Sequence, residues 1–560
     1  TLGTYNITYT APNIGDYYKV EVSITINNNA VTNTFTASSG SWSSTSNWSL
    51  SRLPIVNDNI SIPSGKIANL DMSDITVTDV SVVGSLNINT GKSITIKGNL
   101  TNIGTIEVKS DATSSGSIIV EGNSSGNIVY KRYIKDNTNW HLISSPFENQ
   151  DIDVFASSNP LASGSGSNRG LSLYNNITPG WEYYQNGTST SGNFSLGTGY
   201  SIRLTSAGST TFTGSIKTDN VSKSVTVGSN GWNLIGNPFP SFMNVNDPAD
   251  ATNNIIDINF GALQSGFKAI YFWEAVSQTY KPINNASDAT YLAPGQGYFV
   301  RVSANGNILL NENMQSHQTG NYFLRSSSDR FEIKLKINNG SSEKNTDIKY
   351  IEGTTTGLDE GYDAGLFNAG SSPFALYTHL VANSNGTKYA LQALPNNNFN
   401  SMIVPIGLNA NKDSEIIFTA NFKNIPSGIK IYLEDKNENS FLKTLHPLTT
   451  LKGLEHYPHI TPDKKHLLFS HKNSDNWDIY VKPLNKESYR AILNSPLDER
   501  FPVVSPDGKK LANANSQSGM YLYDFDDLTG IVSNQLPLSI SGTANKAYGV
   551  EFSPNSELLY

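Results

Sequence analysis

The 560-residue chain contains no cysteine. Disulfides, thiol catalysis and cysteine-ligated zinc are therefore excluded. A secreted eukaryotic β-protein of this length ordinarily carries disulfides, so the composition fits a bacterial exported protein better. Charge is also scarce. Only 15% of residues are charged, and the net charge of −8 includes no basic block. Nucleic-acid binding needs a clustered positive footprint, so no nucleic-acid partner is expected. No apolar run approaches the roughly 18 residues of a membrane-spanning helix, so no transmembrane segment is expected. Helical periodicity is poor throughout, and its best stretch, 248–263, reads as loop with a single turn. The chain opens at Thr1 without a signal peptide, so an exported protein would have its targeting segment removed or outside this sequence.

Catalytic signatures are missing too. There is no His-Glu-x-x-His, no Gly-x-Ser-x-Gly and no Walker loop. No acidic pair sits in a recognisable glycosidase setting. The expectation is a non-enzyme with no resident cofactor. Sequons such as Asn47-Trp48-Ser49 recur, as a chain rich in Asn, Ser and Thr produces by chance.

Hydrophobic residues alternate in short runs, which marks an ordered β-rich chain. The clearest feature is a duplication. Trp140-His141-Leu142-Ile143-Ser144-Ser145-Pro146-Phe147 returns 92 residues later as Trp232-Asn233-Leu234-Ile235-Gly236-Asn237-Pro238-Phe239. Each copy continues to an aromatic cluster: Tyr174, Trp181, Tyr183 and Tyr184, then Tyr271, Phe272, Trp273 and Tyr280. Each closes on Gly-x-Gly-Tyr, at Gly197–Tyr200 and Gly295–Tyr298. The Gly-x-Gly supplies a tight turn before a final strand. Flat rings stack on pyranose faces and could line a sugar platform, but their period-two placement favours a core role.

Six regions are expected. Residues 1–37 read as the last strands of a partial Ig-like domain. Residues 38–135 hold strands of three to five residues between Gly and Asn corners, a β-solenoid pattern with a small sandwich as the competing fold. Residues 136–225 and 226–320 are the two copies of the duplicated module, either tandem sandwich-like domains or halves of one. Residues 321–444 open on the amphipathic run Phe331-Glu332-Ile333-Lys334-Leu335-Lys336-Ile337 and read as a β-sandwich. Residues 445–560 repeat a Thr/Ser-Pro-Asp/Asn phrase at Pro462, Pro506 and Pro554, a propeller-blade spacing. The fold class is all-β: tandem β-sandwich and β-solenoid-like domains followed by an incomplete β-propeller-like region.

One turn gathers three carboxylates, Asp359, Glu360 and Asp363. Calcium takes oxygen ligands from such loops, although the spacing differs from an EF-hand. These residues are the candidate metal ligands, and calcium is the one cofactor in question. His456, His459, His466 and His471 also cluster, but on alternating strands they need not converge on zinc.

Residues 38–444 resemble exported cell-surface proteins of Bacteroidetes such as flavobacteria. The resemblance rests on Gly231–Ser241, Ala293–Val300, Gly357–Ala364 with Tyr389–Pro395, and Trp42–Gly65. It implies export by the type IX secretion system and a place on the outer surface of a Gram-negative cell or outside it. Residues 445–560 resemble TolB-like and WD40-like propeller repeats through Tyr457–Asp463 and Asp475–Tyr480, which implies a protein-interaction platform. Two departures stand out: no sorting domain follows residue 444, and the span holds fewer than the minimum of about four blades. The chain is therefore expected to be truncated, to pair its open edges with another copy, or to join unrelated sequences.

The expected function is adhesion, structural display, or binding of glycans or surface proteins, without catalysis. The alternatives are the accessory portion of a secreted polysaccharide hydrolase or peptidase, and a filament subunit that self-associates through open β edges.

Overall fold

The structure is a computed structural model. It describes residues 30–187, 191–275, 278–318, 330–367, 372–397, 402–412, 415–427, 429–434, 445–447, 455–463, 465–473, 476–483, 489–494, 499–515, 519–526, 528–538, 551–553 and 555–556. The expected Ig-like strands before residue 30 lie outside the described residues. The fold is all-β, and among the described residues the helical segments are short, such as α1 (Ile152–Ser158). The chain divides into two compact units, 1–426 and 427–560.

The first unit begins as a coil of parallel strands. They are β1 (Val31–Thr34), β2 (Ser39–Ser41), β3 (Asp58–Ile62), β4 (Ile67–Leu70), β5 (Ile75–Val77), β6 (Val80–Val82), β7 (Ser85–Ile88), β8 (Ser93–Ile96), β9 (Leu100–Asn102), β10 (Thr105–Lys109), β11 (Ser117–Val120), β12 (Ser124–Ser125) and β13 (Ile128–Ile134). Successive strands fall into three parallel columns, β1-β3-β6-β9-β12, β2-β4-β7-β10-β13 and β5-β8-β11. Ile60 pairs with Val80 and Val80 with Leu100, so one coil takes 20 residues here. Alternation points Ile62, Leu70, Val82, Ile88, Ile96 and Val108 into one core, all fully buried. Because β1 pairs in parallel with β3, residues 31–34 run with the coil. At that end Trp42 and Trp48 are buried, their rings 4.7 Å apart, and Trp48 Nε1 donates to Trp42 O at 2.8 Å.

The duplicated modules follow. The first contains β14 (His141–Ser144), β15 (Asn168–Asn175), β16 (Gly180–Gln185), β17 (Gly199–Ile202) and β18 (Gly208–Gly214). The second contains β19 (Val221–Val225), β20 (Trp232–Gly236), β21 (Phe242–Asn244), β22 (Ile270–Glu274), β23 (Thr279–Ile283), β24 (Tyr291–Leu292), β25 (Gly297–Arg301), β26 (Gly306–Leu310) and β27 (Gln315–Ser316). Their main sheets share one topology, β14-β17-β15-β16 and β20-β25-β22-β23. A flanking antiparallel pair also recurs, β13 with β18 and β19 with β26. The structural repeat thus starts at the flanking strands, near residues 128 and 221, ahead of the boundaries read from the motifs.

The two modules meet through equivalent residues. Ile143 bridges to Gln296, and its counterpart Ile235 bridges to Thr198. Ser144 N donates to Gly295 O at 2.9 Å, and its counterpart Gly236 N donates to Gly197 O at 3.1 Å. Residue i touches j while i's copy touches j's copy, which is the pattern of a two-fold interface. Here the dyad lies inside a single chain.

Seven strands complete the unit: β28 (Glu332–Asn338), β29 (Glu343–Ile351), β30 (Ala364–Gly365), β31 (Ala375–Thr378), β32 (Tyr389–Pro395), β33 (Ile406–Asn409) and β34 (Ile417–Lys423). The sequence reading expects a sandwich. The described strands form one mixed sheet, in which β29 and β32 run parallel. Leu391 and Ala393 of this sheet, with Ala364 of β30, join Trp232, Phe267, Tyr271 and Phe299 of the second module in a shared core. The sister module covers that face, so no second sheet is needed there.

The second unit contains two four-stranded antiparallel meanders among the described residues. One runs through Glu455–Ile460, His466–Asn473, Asn476–Pro483 and Arg490–Leu493. The other runs through Arg500–Val504, Lys510–Asn515, Gly519–Asp526 and Ile531–Leu538. Each has the strand order of a propeller blade. The repeated phrase is a closed turn. Thr461 Oγ1 donates to Asp463 Oδ1 at 2.6 Å and accepts from His466 N at 3.0 Å. Ser505 Oγ donates to Asp507 Oδ1 at 2.6 Å and accepts from Lys510 N at 2.9 Å. These donors hold the Asp463 and Asp507 carboxyls below the usual carboxylate range, against the desolvation that is the largest influence on Asp463.

Candidate functional site: an aromatic cleft between sister modules

In each module the third strand carries an aromatic residue opposite one on the hairpin strand that follows. Tyr174 on β15 pairs with Trp181 on β16, and Trp273 on β22 pairs with Tyr280 on β23. Cross-strand neighbours on one face contact each other, and these rings lie 5.6 and 4.8 Å apart. The internal dyad brings the two pairs to a common centre at Phe299. Its ring lies 4.9 Å from Tyr174, 5.4 Å from Tyr280 and 5.1 Å from Phe367. Trp273 Nε1 donates to Trp140 O at 2.8 Å and ties the modules together at the rim.

One cross-strand pair changes from large to small between the sister modules. In the second module Tyr271 on β22 faces Phe299 on β25. Both are buried, and Tyr271 OH donates to Gly365 O at 2.8 Å. The same pair in the first module is Ser172 on β15 and Ser201 on β17. Two large rings are replaced by two hydroxymethyl groups, and a cavity of about 400 Å³ lies at that position. Ser172 and Ser201 line it, with Trp140, Tyr174, Trp181 and Tyr183 from the first module and Trp273, Tyr280 and Phe299 from the second. Trp140, Tyr174, Trp181, Trp273 and Tyr280 are half-buried, and Tyr183 is exposed. Ser172 is only 1% exposed, and its Oγ has no hydrogen-bond partner. A buried hydroxyl without a partner costs stability. Burial raises the Tyr174 and Tyr280 phenols above their ordinary value, so both stay neutral donors.

A second cavity of about 220 Å³ adjoins the first and shares Trp273, Tyr280 and Phe367 with it. Its other walls are mixed: Leu366, Phe374 and Leu376 are apolar, and Lys281, Lys334, Lys344, Glu274 and Asp347 carry charge. Lys344 Nζ donates to Gln278 O at 2.8 Å, and burial lowers its ammonium pKa.

The acidic turn lies elsewhere, and its three carboxylates have separate partners. Asp359 accepts from Thr355 N at 2.7 Å. Glu360 accepts from Ser265 Oγ and stands 3.8 Å from Lys268 Nζ. Asp363 is fully buried and accepts from Asp359 N and Ala393 N, both at 2.7 Å. Burial pushes its carboxyl up to about 7, against the pull of those two amides. The arrangement pins the turn to β32. Among the described residues no three His, Asp or Glu side chains are placed to share a metal ion; the side chain of His456 lies outside them.

Sequence reasoning named the aromatics of this cleft and assigned them to the core. For Tyr271, which lies behind the cleft, that is its place. The residues it did not single out are Ser172 and Ser201. Aligning the two copies strand by strand, beyond the shared motifs, would have exposed the exchange of Tyr-Phe for Ser-Ser.

Among solved structures the chain is similar to TolB from Acinetobacter baumannii, at 15% identity and a TM-score of 0.18, over 41% of this chain and 57% of that one. It is also similar to a provisional TolB from Agrobacterium tumefaciens, at 16% identity and a TM-score of 0.18, over 42% of this chain and 98% of that one. The chain thus spans a little over half the length of the Acinetobacter protein. No curated protein matches. One family model does, described as a domain of unknown function (DUF8693), over residues 34–448. That span opens on the first coil of the parallel strands, takes in both modules and the mixed sheet, and ends before the two meanders. The chain belongs to the DUF8693 family.

Proposed function

We propose that this protein is an exported bacterial surface protein that acts by binding, without catalysis, and that its cleft holds a glycan chain. The observation that carries this reading is the Ser172–Ser201 pair at the position of the sister module's Tyr271–Phe299. The exchange opens a hollow walled by aromatic rings, with an unpartnered hydroxyl at its base. Aromatic faces pack on the C–H faces of sugars, and fixed polar groups read the hydroxyls, as small-ligand sites generally combine apolar walls with few polar contacts. Export and surface placement rest on the cysteine-free, Asn/Ser/Thr-rich composition and on the resemblance carried by residues 38–444. Adhesion to a glycan-coated surface follows naturally from such a site.

The test is a glycan array followed by calorimetric titration of the best-retained oligosaccharide. Trp181→Ala removes one wall, and Ser172→Tyr restores the sister module's filling. Each is expected to weaken binding about tenfold or more, equivalent to about 1.4 kcal/mol, with the melting temperature little changed. Retention of no glycan, or variants that bind like the wild type, would overturn the reading.

A further inference from the structure

We propose that the glycan held in this cleft is acidic, with its carboxylate or sulfate groups seated in the second cavity. The inference rests on the glycan reading of the aromatic cleft and extends it. The two cavities share Trp273, Tyr280 and Phe367, so a chain lying on those rings continues from one into the other. The Tyr280 and Phe367 rings are stacked at 3.8 Å and 24°, and they give both cavities a common flat rim.

The charged residues of the second cavity have the opposite balance to the chain as a whole. Overall the sequence has 39 basic against 47 acidic residues. Around this cavity Lys281, Lys334 and Lys344 face Glu274 and Asp347, so cations outnumber anions. The three lysines come from separate strands, β23, β28 and β29, which tertiary packing brings to one wall. Lys281 is exposed, and Lys334 and Lys344 are half-buried. Among the described residues neither Lys281 nor Lys334 forms an ion pair. Lys344 is already hydrogen-bonded to Gln278 O, so the proposal rests on Lys281 and Lys334. A neutral glycan would make no use of the Lys281 and Lys334 charges, whereas an anionic one complements them.

Two matched pairs of glycans test the proposal and separate the two sources of anionic charge. Polygalacturonate is compared with its carboxyl-reduced form, and κ-carrageenan with its desulfated form, by titration against the full chain. At least one acidic member is expected to bind ten-fold or more tighter than its neutral partner, and the preferred pair identifies carboxylate or sulfate. That preference is expected to disappear in the Lys281→Gln/Lys334→Gln variant and to shrink in 0.5 M salt, as exposed charge interactions do. Trp181→Ala should weaken both members of the pair. Equal binding within both pairs that is still lost in Trp181→Ala overturns the acidic-ligand proposal and leaves the glycan reading standing. No binding to any of the four overturns the acidic-ligand proposal, while the glycan reading is decided by the array; binding that ignores Trp181→Ala overturns both. The salt series reads the wild type alone, so the proposal stays testable even if the lysine variant fails to fold.

Discussion

Single residues set the chemistry of this molecule's interior, and His317 shows how. Its ring lies between two hydroxyls of the parallel coil, Thr95 at 2.9 Å and Ser117 at 2.8 Å, and so ties the end of the second module to the face formed by β8 and β11. Burial lowers its pKa from 6.5 to about 4, with Asp74 pulling weakly the other way. The unfolded chain therefore takes up a proton that the folded chain refuses between those two values. The His317 contribution is fully present above pH 6.5 and is lost as pH falls towards 4, by about 3 kcal/mol in all. Asp363 works in the opposite sense. Its folded carboxyl is raised from 3.8 to about 7, so its contribution is present at low pH and lost as pH rises through 7. Urea unfolding of the wild type and His317→Asn at several pH values isolates the histidine. The gap between the two stability curves should change with pH between 4 and 6.5 and stay flat above 6.5. Parallel curves across the whole range would show that the ring carries no such linkage.

The strand-level lesson lies in the Gly-x-Gly phrase. As a sequence it reads as a tight turn, and its first glycine is one: Gly197 and Gly295 have φ of 68° and 64°, the left-handed region that favours glycine. The second glycine answers to a different constraint. A Cβ at Gly199 would lie 2.7 Å from Ile235 O, and one at Gly297 would lie 2.8 Å from Ile143 O. Each copy keeps a glycine there because the sister module's strand passes against it. Gly199→Val or Gly297→Val should force the modules apart and destabilise the chain by about 1–3 kcal/mol, the usual range for overpacking. Gly306→Ala on β26 meets nothing within 4 Å and serves as the control, with an effect within about 0.5 kcal/mol. Thermal melts of the three variants check this, and equal melting temperatures would contradict the close packing. The turn half of the motif is readable from one repeat, because backbone sterics are local. The packing half is not, because it needs the partner copy.

Across the whole chain, two compact units have separate cores. In the first unit the parallel coil and module one share a continuous set of buried residues from Phe35 to Ile216. In the second, Leu468, Val481, Val504, Leu511, Tyr523 and Phe525 form a cluster that joins the two meanders. Units with their own cores melt as separate cooperative blocks. Scanning calorimetry of the full chain should resolve two transitions, with a calorimetric enthalpy above the van't Hoff value. A single two-state transition would show that the units fold as one.

Much of this architecture was legible in local patterns. Alternating apolar residues, scarce helical periodicity and corner glycines determined an all-β chain with short strands, because side-chain direction along a strand follows from backbone geometry alone. The Trp-x-Leu-Ile-x-x-Pro-Phe duplication determined that two sister modules exist, and the Thr/Ser-Pro-Asp phrase determined the closed turns of the meanders. Tertiary structure alone decided that the modules pair about an internal dyad, that one mixed sheet shares its core with the second module, and that Ser172 and Ser201 leave a hollow among aromatic rings. Those outcomes depend on contacts between residues far apart in the chain, such as Tyr174 with Phe299, and a cavity is a property of what surrounds a residue rather than of the residue itself.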